Sequence, residues 1–448
     1  MRKLYWLLCV FLLSPYLMQA QDGEAFSLED AVNYAERNSN EVKDAALDVA
    51  HSKAQVKEYV SIGIPKISAK VEYNYFLQIP TQLIPAETFA PPGAPIPPGE
   101  EYIEAQFGTK NNLTGSVTLS SLVFDGSYFV GLKASKGLLE MTKRQADLTR
   151  HNIKYPVQKA YLTVLIAIEN RAVLVNNISN IQKMLDETIA YFENGLVEQL
   201  DVERLELSKA NLETELSMVD RQVELAHNVL KFQMNYPIDQ KITLTDKLET
   251  LLKEVPKEDL EGDIDFKNRI ELDVLQRSEH LNNLNVKRYQ MGYLPSLSAF
   301  AMHQQQLQRD NLFDNDAPGF FPTTIIGATL NIPIFDGLEK SAKIQKTKIE
   351  RDKISLQIKD FKRGTELEVT NARAVYINAK QRLASQEKNV ALAEKILGVT
   401  KTKYKEGVGS SLEITQAEQE LYRTQANYMN ALYDVVAATV DLNKSLGK

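Results

Sequence analysis

Asp201 and Glu413 each stand six residues past a glycine, Gly195 and Gly407, in a chain without clustered reactive groups. By residue type and spacing alone, each is an acid near a helix start, where the macrodipole favours negative charge. The five histidines (51, 151, 227, 280 and 303) show no metal-ligand spacing, and no Ser, Cys or carboxylate grouping forms an active site. The expectation is therefore no metal, no cofactor and no enzymatic activity. Whatever the chain does, its helices and turns must do.

Composition and the amino terminus narrow the classes. Arg2 and Lys3 followed by the apolar run Leu4 to Leu13 read as a secretory signal over residues 1–20, too short in its apolar core to span a bilayer. Cys9, the only cysteine, lies inside it, so the mature chain has none, which is compatible with an oxidising compartment. Of 52 basic and 59 acidic residues, removal of Arg2 and Lys3 leaves 50 against 59, a formal charge of −9. Phosphate binding needs a basic face, so a nucleic-acid partner is excluded. After Ala20 no run of eighteen apolar residues occurs, so a membrane crossing would have to use β-strands.

The elements that place the two acids are long helices. From Val369, bulky residues recur every seven positions at Tyr376, Leu383, Val390, Leu397 and Tyr404, and three residues after most of them sits a small one: Ala372, Ala379, Ala393, Thr400. The pattern resumes past Gly407 at Ile414, Leu421, Tyr428, Val435 and Leu442, with Ala417, Thr424, Ala431, Ala438 and Ser445. This is a coiled-coil seam folded back at Gly407. At about 1.5 Å per residue, the helix before the turn is on the order of 100 Å long. Pro156 and Gly364 weaken the two long helices in similar places, where a bend or local unwinding is expected.

The chain says all this twice. Shifting the second seam back by 212 positions lands on Val157, Val164, Ile178, Leu185 and Phe192, then on Val202, Leu216, Val223 and Leu230, with Arg171 and Lys209 out of character; Gly407 lands on Gly195. Each half reads helix, strand, loop, strand, long helix, turn, helix. The first repeat covers 21–240, with strands at about 64–78 and 111–124 and a helical hairpin at 127–236. A connector spans 241–265. The second repeat covers 266–448, with strands at about 294–307 and 323–335 and a hairpin at 338–446. In the first repeat the strand-connecting loop, Gln78 to Lys110, holds seven of the sixteen prolines and is expected to be extended and irregular. The strands alternate polar and apolar residues, as Ile67, Ala69, Val71, Tyr73 and Tyr75 do against Ser68, Lys70, Glu72 and Asn74.

Strands of about eleven to fourteen residues, tilted, span roughly 30 Å of hydrocarbon. Four cannot close a barrel, since the smallest have about eight, and open edges are prohibitively costly in lipid. Strands in a membrane therefore require several copies sharing one barrel. Tyr73, Tyr75, Phe76, Phe124, Phe320, Phe321 and Phe335, near strand ends, fit an aromatic girdle.

On these residues the chain resembles the TolC family of outer-membrane efflux proteins over essentially its whole mature length. The resemblance rests on Leu28-Glu-Asp-Ala31 with Ala35 and Asn38, and on the strand starts Ile64-Pro-Lys-Ile-Ser-Ala69 and Leu294-Pro-Ser-Leu-Ser-Ala299. It rests also on the paired Phe124-Asp-Gly126 and Phe335-Asp-Gly337 motifs, and on the turns Phe192 to Val202 and Tyr404 to Ile414. Ser39 stands where the family usually has proline. The resemblance implies a fold that is mainly α with a membrane β-barrel: a long antiparallel coiled-coil α-barrel plus four β-strands per protomer, a homotrimer and a twelve-stranded barrel. It implies a passive outer-membrane duct of a tripartite efflux pump or type I secretion system, in a Gram-negative bacterium. Its partners would be a periplasmic adaptor (membrane fusion protein), an inner-membrane transporter of RND, ABC or MFS type, and outer-membrane lipid. Gly195, Leu196, Val197, Gly407, Val408 and Gly409 would form adaptor-contacting tips. Asp201 and Glu413 would lie at the periplasmic aperture, with Gln416 where the family's second acid stands, giving a weakened negative ring. The alternative, a soluble periplasmic coiled-coil adaptor or scaffold, leaves the four strands and the proline-rich loop without purpose.

Overall fold

The computed structural model describes residues 24–88, 91, 95, 101–251, 256–267, 269–313 and 319–448. The signal segment and Pro92, Pro97, Pro98 and Pro318 lie outside the described residues. In chain order the elements are β1 (Glu24–Phe26), α1 (Leu28–Asn38), α2 (Asn40–Ser61), β2 (Lys66–Tyr75), β3 (Thr81–Pro85), β4 (Tyr102–Gln106) and β5 (Asn111–Phe124). The two halves of the first long hairpin are α3 (Gly126–Glu193) and α4 (Gln199–Met234). Then come β6 (Ile242–Leu244), α5 (Leu248–Leu251), α6 (Lys257–Glu261), α7 (Ile270–Met291), β7 (Ser296–Arg309), β8 (Phe321–Asn331), α8 (Glu339–Lys405) and α9 (Ser411–Leu446). The chain divides into two units: 1–48, 143–274 and 358–448 form one, and 49–142 with 275–357 the other.

The first unit is helical and built on the seam. In α9 the two stripes, Ile414, Leu421, Val435 and Leu442 with Ala417, Thr424, Ala431, Ala438 and Ser445, are all buried. Against them lie Tyr376, Ala379, Ala393 and Leu397 of α8, and Val369 of the same stripe is also buried. The first hairpin is packed differently. Its most buried residues towards the turn are Leu174, Ile181 and Leu185 of α3 with Leu205, Leu212 and Val219 of α4. Leu205, Leu212 and Val219 occupy the positions that repeat alignment matches to the small Ala417, Thr424 and Ala431. Leucine thus fills in one hairpin what alanine leaves open in the other. Arg171, the residue out of seam character, stays at the surface and pairs with Asp220 at 2.6 Å.

The amino-terminal segment closes this unit. Ser27 caps α1 and exchanges hydrogen bonds with Asp30, a capping box that satisfies two free donors. Where the family places proline, Ser39 ends α1: its N–H donates to the Ala35 carbonyl and its Oγ accepts from Glu41 N. The expected single first helix is therefore two, α1 and α2. The stretch 241–265 is more than a connector, since β6 pairs in parallel with β1, Glu24 opposite Ile242. Fully buried Tyr161 donates from its hydroxyl to the Phe26 carbonyl at 2.9 Å, while Leu28 N donates to Asp246 at 2.7 Å.

The second unit carries a four-stranded antiparallel sheet in the order β2-β5-β7-β8. Its register places Ile67, Leu119, Ala301 and Ile326 in one row, and Lys70, Ser116, Gln304 and Thr323 in another. Rows of the first kind are predominantly apolar and those of the second mostly polar, so the sheet has two unlike faces. Among the described residues β2 and β8 each pair on one side only. Two expectations are corrected here. The proline-rich loop contains a hairpin, β3 with β4, Thr81 opposite Gln106, because Thr81–Pro85 and Tyr102–Gln106 are themselves strand-forming. The last strand stops at Asn331 rather than 335, and Pro333, which has no N–H to give a ladder, follows.

Helices α3 and α8 run unbroken through Pro156 and Gly364, so no unwinding occurs at either. Buried Ile153, Tyr155 and Val157 surround Pro156, and tertiary packing of this kind overrides a weak local preference. Among the described residues no helix is long and apolar enough to cross a membrane.

Candidate functional site

The two hairpin turns lie in the first unit. Gly195 adopts φ +70° and Gly407 φ +75°, left-handed values that only glycine takes without cost. At the first, Gly195 N donates to the Phe192 carbonyl and Leu196 N to that of Tyr191, both at 2.9 Å. At the second, Gly407 N bonds the Tyr404 carbonyl and Val408 N that of Lys403, both at 3.0 Å. Both are Schellman caps, which satisfy the free carbonyls of a helix end, and each is followed by a hydrophobic residue that stays in solvent. Leu196 and Val408 are those residues, 71% and 77% exposed.

Gly409 differs. A Cβ there would lie 3.0 Å from Tyr404 N and 3.2 Å from the Lys403 carbonyl carbon, both backbone. It is packed inside the turn rather than presented by it. Gly407→Ala is expected to cost about 1–2 kcal/mol through left-handed strain, read as a lower melting temperature with the hairpin intact. Gly409→Ala must open the turn, and trypsin should then cut faster at Lys403 and Lys405. Equal tryptic stability of the two variants would contradict this packing.

The acids separate just as clearly. Asp201, half-buried, accepts from Ser411 Oγ and from Glu198 N at 3.2 Å, and lies 3.7 Å from Arg204 Nη1. Arg204 Nη1 also donates to Ser411 Oγ at 3.3 Å. Ser411 opens α9, so this cluster clasps the start of one hairpin's second helix to the start of the other's. Lys405 adds an ion pair to Glu187 at 3.0 Å. A cleft of about 610 Å³ runs between the turns, lined by Leu196, Asp201, Arg204, Tyr404, Gly407 and Ser411. Glu413, in contrast, has its N–H capped by Ser410 at 3.3 Å while its side chain is exposed, as is that of Gln416.

One group that sequence reasoning passed over sits a turn further along α9. Glu418 is 1% exposed, and among the described residues neither carboxylate oxygen has a hydrogen-bond partner and its one ion pair, Lys401, is 3.6 Å away. Burial pushes its carboxyl above the ordinary value of 4.5, an effect that Lys401 only partly offsets. Burial also raises the Tyr422 phenol, one helical turn on, which Glu418 reinforces. The signal available was position: Glu418 follows Ala417, a seam residue, and flanks the packed stripe. Arg204 and Ser411 carried no such mark. Among the described residues no group of His, Cys, Asp and Glu could hold a metal.

Paired coiled hairpins closed by clasped turns, with a two-faced sheet in the other unit, can be compared with known proteins. Residues 268–448 match the family model described as outer membrane efflux protein. The chain is 20% identical to Nodulation protein T of Rhizobium leguminosarum bv. trifolii over 77% of its own length and 73% of that protein's. It is 19% identical to Outer membrane protein TolC of Vibrio cholerae, covering 75% and 76%. Among solved structures, the MtrE outer membrane channel of Neisseria gonorrhoeae in its open state superposes with a TM-score of 0.70 at 16% identity, covering 94% of this chain and 88% of that one. The outer membrane protein VceC of Vibrio cholerae gives 0.68 at 15%, covering 94% and 96%. With the same order of strands, hairpins and turn glycines found twice along one sequence, the chain carries the outer membrane efflux protein domain over residues 268–448 and is similar along most of its length to TolC-family outer-membrane efflux proteins.

Proposed function

We propose that three copies of this chain pool their sheets into one twelve-stranded barrel and serve as the passive outer-membrane duct of a tripartite export machine. The observation that carries this is the sheet of the second unit: one apolar face and two unpaired edges, β2 and β8. Such edges are tolerable in lipid only if each finds a partner, and the next copy's opposite edge is the one always available. A soluble scaffold would expose Ile67, Val71, Ile326 and Leu330, all above half exposure, to water with nothing gained. Purified protein should run as a heat-modifiable trimer and give discrete conductance steps in planar bilayers; a detergent-indifferent monomer would end this reading.

The hairpin turns are the gate in this proposal. Exposed Leu196 and Val408, next after the turn glycines, offer apolar contacts to a periplasmic adaptor, which in turn would couple to an inner-membrane transporter. The Asp201, Arg204 and Ser411 clasp holds the two hairpins of one subunit together, so they would move as a pair. Asp201 is spent on that clasp, which leaves Glu413 as the acid free to face the aperture. Three Glu413 carboxylates about an axis form a negative ring that admits cations and disfavours anions. Glu413→Ala should raise the anion-to-cation permeability ratio, measured as a shift of reversal potential in a salt gradient. An unchanged reversal potential would remove Glu413 from the aperture.

A further inference from the structure

The helices that adjoin the sheet carry a charge opposite to that of the protein. Over 49–61, 126–142, 275–291 and 339–357, all in the second unit, thirteen Lys and Arg stand against six Asp and Glu. The whole chain has 52 against 59. Each of the four strand–helix junctions has an exposed lysine close by: Lys57 before the end of α2, Lys133 after the start of α3, Lys287 before the end of α7 and Lys343 after the start of α8. At 1.5 Å per residue they lie about 6 to 10 Å from the helix ends nearest the strands. Lys57, Lys133 and Lys287 have no ion pair among the described residues; Lys343 pairs with Glu339 and remains half exposed.

Aromatic rings share this level. Tyr59 stacks on Tyr128 with centroids 6.1 Å apart and planes 5° apart, and Tyr128 meets Phe129 edge-on at 5.4 Å. Gly63 and Gly131 make room, since a Cβ at either would collide with Tyr128 or Tyr59. Lys340 lies over the ring of Tyr293, with Nζ 5.6 Å from the centroid. Directly beyond, the chain exposes apolar residues, Ile334 at 94%, Phe335 at 80% and Leu338 at 66%. Apolar surface, then aromatic rings, then lysines is the order in which a bilayer presents hydrocarbon, interface and headgroup phosphate. The headgroup layer is about 5 to 8 Å thick on each side, which the long lysine side chains span.

We propose that this lysine collar is a binding surface for anionic phospholipid headgroups at the periplasmic face of the membrane, seating the duct at a fixed depth. The inference rests on the membrane reading above. Phosphodiester groups, not carboxylates, are the fitting ligand, because the collar meets them only where the apolar surface ends. Each lysine near an anionic surface gains from it at low ionic strength and loses the gain as salt screens it.

The test reconstitutes the intact protein into nanodiscs of equimolar phosphatidylglycerol and phosphatidylcholine, and reads retained lipid by native mass spectrometry. Wild type should retain phosphatidylglycerol with roughly three- to five-fold enrichment at low salt, falling towards unity at high salt. The fourfold variant Lys57→Gln, Lys133→Gln, Lys287→Gln and Lys343→Gln should lose the enrichment while still forming trimers. Should the variant not fold, the salt titration on wild type decides alone. Insertion with no lipid preference would overturn the collar and leave the duct standing. Failure to insert into either lipid would overturn both. Thermal stabilisation by inorganic phosphate equal to that by phosphatidylglycerol would make the collar a free-anion site and overturn the proposal.

Discussion

Ile326→Lys is expected to abolish assembly into membranes, whereas Thr323→Lys, three residues away on the same strand, is expected to be tolerated. Ile326 is 82% exposed and shares its row with Ile67, Leu119 and Ala301. Thr323 lies in the row of Lys70, Ser116 and Gln304, which already carries a lysine. A charge on the lipid face near mid-depth costs about 2–4 kcal/mol, and a lumen-facing one far less. In a trimer the cost is incurred three times, about 6–12 kcal/mol, which is comparable to the whole stability of a typical folded domain. The measurement is the yield of heat-modifiable trimer after folding into liposomes. Equal yields for the two variants would mean that the sheet does not present one face to lipid.

Glu418→Leu should make the protein more stable at neutral pH. The carboxylate is buried with both oxygens unbonded and a single cation 3.6 Å away, too far for a hydrogen bond. Replacing a poorly compensated buried pair by a hydrophobic residue of similar size gains about 1–4 kcal/mol. Lys401, 29% exposed, can turn to water when its partner is gone. The converse change, Lys401→Met, leaves the charge buried alone and should be destabilising. The pH dependence fixes the cause. Because burial raises the carboxyl above 4.5 in the folded state, the fold binds its proton more tightly than the unfolded chain does. The contribution of Glu418 is therefore fully present below about pH 4.5 and is lost as pH rises through the folded value. The advantage of Glu418→Leu in melting temperature should be small near pH 4 and grow towards pH 7. A pH-independent difference would assign the effect to packing.

The buried acid and the clasp lie on the same helix. Glu418 lies five residues beyond Glu413, on the helix whose start is clasped by Asp201 and Arg204. The paired hairpins thus contain one contact that favours them, the clasp, and one that costs them, the desolvated acid.

Much of this was legible from residue order. Heptad spacing in α8 and α9 marked the buried stripes because periodicity reports which side of a helix avoids water. Alternation in β2 and β5 marked the two faces for the same reason at period two. Gly195 and Gly407 marked turns because left-handed backbone has few other tenants. The chain's order of elements, and with it the family, followed from finding those signals twice. What periodicity does not report is the identity of the neighbour. The same seam position is filled by Leu205 in one hairpin and Ala417 in the other, and only packing shows that both are core. Two acids at equal distances from their glycines look alike in sequence, yet Asp201 is held by neighbouring Arg204 and by Ser411, 210 residues on, while the Glu413 side chain stays exposed. Pro156, a breaker by local rule, sits in an unbroken helix because buried residues on either side hold it. Local preference is set within a few residues, but burial and charge pairing are set by segments far apart in the chain, and at the hairpin turns it is the distant segments that decide.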